Sequence, residues 1–79
     1  MQHENTAQFT STRLPFGTWL ASQVKRDDAI GALARAAHMD RGFPLTGDVQ
    51  AVSKRLNQLQ ADGEMHVALE EAELDWLAL

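Results

Sequence analysis

The chain has 79 residues, enough for one domain near the lower end of self-folding sizes, about 55–65 residues. Hydrophobic residues make up 44% and charged ones 23%, which argues against a disordered or collagen-like chain, and the absence of cysteine excludes disulfides and thiolate chemistry. The net charge of −4 hides an asymmetry: residues 1–55 carry seven bases and five acids (+2), whereas from Leu56 onward there are six acids and no base (−6).

Residues 1–13, MQHENTAQFTSTR, show no periodicity and read as a flexible tail, with Phe9 reaching for the core. The tail lacks the basic-then-apolar layout of a secretion signal, and no apolar run approaches the ~18 residues of a membrane span. A soluble, cytoplasmic protein is expected, with residues 14–79 as its helical domain.

The first helix is expected from Pro15, whose missing N–H costs nothing in a first turn. Phe16, Trp19, Leu20 and Val24 recur at helical spacing, and Lys25-Arg26 close the segment at the negative end of the dipole. Asp27-Asp28 open the second helix, one of them as cap. Its stripe is Ile30, Leu33, Ala34 and Ala37, and Gly31 inside it suggests room made for a neighbour such as Trp19. Asp40-Arg41-Gly42-Phe43-Pro44 ends it, with Gly42 free to take positive φ and Phe43 plugging the core.

Thr46 or Asp48 caps a third helix with the stripe Val49, Val52, Leu56 and Leu59, and Ala61-Asp62-Gly63 reads as its stop. A fourth runs from about Glu64 to the end. Met65, Leu69, Ala72 and Trp76 share one face, while Val67, Leu74 and Ala78 fall near the opposite one. That helix is apolar on two sides. The fold class expected is a compact all-α bundle of four to five helices with loops of two to eight residues, since no heptad pattern lasts three repeats.

The order and spacing of Phe16-Gly-Thr-Trp19-Leu20, Asp27-Asp28-Ala-Ile30-Gly31-Ala-Leu33-Ala34 and Asp40-Arg-Gly-Phe43-Pro44, then Leu56 and an acidic last helix with Trp76, resemble the YozE-like family of small bacterial proteins. The resemblance spans roughly residues 14–77 and implies a SAM-like (sterile-alpha-motif-like) helical fold without established catalytic residues. The chain departs from the family pattern at Ala36, where an acid is frequent, and at His38 and Arg55, where aromatics are frequent.

Little in the sequence points to catalysis. His3, His38 and His66 have no ligand spacing such as His-Glu-x-x-His; His38 and His66 read as border residues and His3 as part of the tail. Glu70, Glu71 and Glu73 occupy successive helix faces without facing another carboxylate across a cleft. Ser11, Ser22 and Ser53 lack a nucleophile-elbow context, and the glycines form no phosphate loop. No enzyme, cofactor or metal is expected. The candidate binding residues are the bases Lys25, Arg26, Arg35, Arg41, Lys54 and Arg55 together with the outward apolar pair Val67 and Leu74. A basic face and an acidic one permit head-to-tail contact with a protein partner or a second copy. The alternative is a nucleic-acid-binding or regulatory accessory protein using the same bases, a reading opposed by the net charge.

Overall fold

A computed structural model describes residues 14–79, which form four helices: α1 (Phe16–Ala21), α2 (Ala29–His38), α3 (Val49–Gln58) and α4 (Gly63–Leu77). The expected tail at residues 1–13 and the contact of Phe9 lie outside the described residues. Among those described there is no strand, and no helix is long and apolar enough to cross a membrane.

Three helices start by one device. Asp28, Asp48 and Asp62 each sit in extended backbone, and each carboxylate accepts the amide N–H three residues on, from Gly31, Ala51 and Met65. Each satisfies one of the four donors that a helix start leaves unpaired. Asp62 therefore opens α4 instead of ending α3, which stops at Gln58 and turns at Gln60, φ 56°. Neither Gly63 nor Gly42 takes positive φ, so the expected glycine stops give way to that glutamine turn.

The first helix is shorter than its apolar spacing predicts. It ends at Ala21, where the Ser22 hydroxyl donates to the Trp19 carbonyl at 2.6 Å and the Gln23 amide N–H to that of Leu20 at 3.0 Å. Side-chain bonding of this kind competes with helix continuation. Lys25 and Arg26 consequently lie in the α1–α2 turn, not at a helix end.

Interior residues come from every helix and one loop. Phe16, Trp19, Ile30, Leu33, Phe43, Leu56 and Leu69 are all buried, with Leu20, Ala34, Val52 and Ala72 wholly enclosed. Trp76 is half-buried against this core; its ring meets Phe16 edge-on at 5.6 Å, and its Nε1–H donates to the Leu14 carbonyl at 2.9 Å. α4 touches each of the other helices, whereas α2 and α3, consecutive in sequence, make no close backbone approach. Phe43 plugs the core from their connection, which at residues 39–48 is longer than expected.

Two glycines explain how that connection and the first turn close. A Cβ on Gly17 would collide with the Pro44 and Leu45 carbonyls, where the long loop is bonded to α1 through Gly17 N–H to Gly47 O at 3.0 Å and Thr18 Oγ1 to Leu45 O at 2.7 Å. A Cβ on Gly31 would collide with the Arg26 carbonyl, so the neighbour given room is the preceding turn's backbone, not Trp19.

Candidate functional site

The six bases singled out from the sequence fall into two local groups plus one separate lysine. Arg26 and Arg35 meet at the α1–α2 turn, where Arg35 Nη1 donates to the Val24 and Arg26 carbonyls at 2.9 and 3.1 Å. Arg26 in turn binds Asp28 at 2.8 Å and, across to α4, Asp75 at 3.0 Å. These contacts raise the Arg26 pKa, chiefly through the Asp28 hydrogen bond, and Asp28 is lowered by the same bond and by the Gly31 amide. Lys25, beside this group, is exposed.

The second group surrounds Gly42. Asp40 takes a forked pair of bonds from Arg55, Nε at 2.9 Å and Nη2 at 2.7 Å, and also accepts the Gly42 amide N–H at 2.9 Å. The guanidinium lies over Gly42, in the space a Cβ would fill. Arg55 holds the Asp40 carboxyl down at about 2, against an ordinary value of 3.8, and Asp40 raises Arg55. A forked arginine–carboxylate bond fixes orientation as well as distance. Here it ties the start of the long loop to the middle of α3. Arg41, exposed, is next to it, and Lys54 is exposed on α3.

Arg26 and Arg55 are thus paired with carboxylates within the chain, and Arg35 holds a turn. Among the described residues Lys25, Arg41 and Lys54 have no ion pair. The arrangement is far from a row of cations pointing at phosphates.

The outward face of α4 is the other candidate, and it is built as its spacing predicts. Val67 and Leu74 are 54% and 69% exposed. Glu70 and Glu71, also exposed, fall between them at helical intervals of three and four, so one stripe reads apolar, acidic, acidic, apolar. Val67 also lines a shallow groove with Ala29, Gly63, Glu64 and Glu71, where the start of α4 meets the start of α2. Its lining surface is mostly apolar, although two of the residues that form it are glutamates.

The most exposed large apolar residue does not figure among the sequence's candidates. Met39, the C-cap of α2, is 83% exposed, the most of any large apolar side chain described. It borders a second shallow depression with Val24, Arg35 and His38. The signal was available in the spacing: nine residues after Ile30, Met39 falls half a turn away from the buried stripe at about 100° per residue.

Among the described residues no three histidine or carboxylate side chains converge on one point, and no buried side-chain polar atom lacks a hydrogen-bond partner. The molecule belongs to the all-α class of small helical bundles. Compared with protein-family models, with characterised proteins and with solved structures, the chain finds no match.

Proposed function

We propose that this protein is a non-enzymatic protein-interaction module of cytoplasmic, bacterial type, with the SAM-like fold that the YozE-like resemblance implies. The observation that carries the reading is the outer stripe of α4, where Val67 and Leu74 stand in water with Glu70 and Glu71 between them. Apolar side chains flanked by charge of a single sign suit a protein surface with exposed aliphatic groups and basic neighbours. The nucleic-acid reading has less support, because carboxylates of the same chain already hold Arg26 and Arg55.

A photo-crosslinking side chain placed in cells at position 67 or 74, with position 50 on exposed α3 surface as control, tests the proposal. It predicts discrete protein adducts from 67 and 74 and none from 50. Equal labelling at all three positions, or adducts only to nucleic acid, contradicts it.

A further inference from the structure

Two features of the surface, at opposite ends of α2, are complementary in charge. At the start of α2, Ala29 contributes to the groove that Val67, Glu64 and Glu71 also line. At its end, Met39 projects into water beside Arg35 and His38, both in the last turn of the helix, with unpaired Arg41 two residues on. One end offers a groove lined by Val67 and two glutamates, and the other an exposed methionine near two arginines. Ten residues separate Ala29 from Met39, about 15 Å of helix rise, so a rigid α2 cannot bring its own two ends together.

We infer that the occupant of the α4 groove is Met39 of a second copy of this chain, seated with its Arg35 and Arg41 against Glu64 and Glu71. The inference rests on the interaction-module reading and names its partner. Because the two contacting surfaces are different patches, each copy that fills one groove leaves another open. The contact is heterologous, and the assembly grows head to tail. Carboxylate–guanidinium attraction across the contact sets register and makes association sensitive to salt, whose screening length falls from about 10 Å at 0.1 M to about 3 Å at 1 M. With one central side chain and a shallow groove, the contact belongs to the weak class that buries less than about 1,200 Å².

The test is a mixing experiment on the full chain, followed by sedimentation equilibrium up to about 1 mM, the weak end of useful association. The wild-type chain should gain average mass with concentration and lose that gain in high salt. Met39→Glu and Val67→Lys, both at exposed positions and checked for unchanged thermal midpoints, should each weaken self-association by at least about tenfold, the cost of losing a central contact. Mixed together, the two variants should form one 1:1 pair that grows no further, since Val67→Lys still offers Met39 and Met39→Glu still offers a groove.

A wild-type chain that stays monomeric, or a mixture that stays monomeric while the wild type dimerises face to face, overturns the inference. If adducts at 67 and 74 then contain a different protein, the interaction-module reading stands and only its partner changes. If those positions label nothing, both fall.

Discussion

α3 and α4 begin alike, each behind an aspartate that accepts an amide three residues on, yet they distribute their apolar residues differently. In α3 Val52 and Leu56 are buried, Val49 packs partly against the core, and the remaining positions are polar or small. In α4 Ala68, Leu69 and Ala72 are buried while Val67 and Leu74 on the other side stay in water. The inner face of α4, packed with α1, α2 and α3, accounts for the fold. Its outer face adds nothing to that interior, which is why it is the place to look for function. A set of substitutions can separate the two faces.

The largest effect belongs to the interior. Phe16, 2% exposed and in contact with both tryptophans, should lose about 3–5 kcal/mol as Phe16→Ala. A domain of this size has only about 4–12 kcal/mol in all, so denaturant titration should show a large unfolded fraction or a steeply lowered midpoint. Gly31→Ala comes next. Alanine is the better helix former by about 1 kcal/mol, but its Cβ would meet the Arg26 carbonyl, so a net loss of about 2 kcal/mol is expected. A gain in stability would mean that the turn yields.

Asp48→Ala removes the cap of α3 and should cost about 1 kcal/mol, read as a fall of roughly 4–8 °C in Tm. Asp40 gives a pH signature. Its carboxyl is held at about 2 by Arg55, so the pair stabilises the fold above the ordinary value of 3.8, and the benefit is lost as pH falls from about 4 toward 2. Asp40→Asn should therefore be less stable than wild type near neutrality, with the gap closing over that acid interval. A gap that persists at pH 2 would place the pair's contribution elsewhere. The smallest effect is expected on the outer face, where Leu74→Ser should change stability by less than about 0.5 kcal/mol.

The interior was legible because helical spacing is a repeated signal: Ile30, Leu33, Ala34 and Ala37 reinforce one another, and of Phe16, Trp19, Ile30, Leu33, Phe43, Leu56, Leu69 and Trp76, which the pattern assigns to one interior, all but one are buried. Trp76 is the exception, half-buried at the edge of the core. Terminations were less legible because they depend on single local bonds. Ser22 bonding back to Trp19 ends α1 a full turn before Arg26, and Gln60 supplies the positive φ expected of a glycine. Leu59 belongs to the α3 stripe by spacing, yet as the C-cap beyond the last turn it is half-exposed.

On the surface, the outward pair Val67 and Leu74 followed from periodicity alone. The fate of the bases did not. Asp40 and Arg55 are fifteen residues apart on different elements, and only the folded loop brings them together. Arg26 likewise meets a distant carboxylate, Asp75 on α4, that no local spacing could single out.

The central claim is that α4 has one apolar face for folding and another for contact with protein. Its most direct test is the double variant Val67→Ser/Leu74→Ser, followed by thermal melting and by concentration-dependent association in parallel. The account predicts a Tm within about 4 °C of wild type, the equivalent of less than about 1 kcal/mol, together with loss of association. A midpoint that collapses as for Phe16→Ala, or association that survives intact, would contradict it.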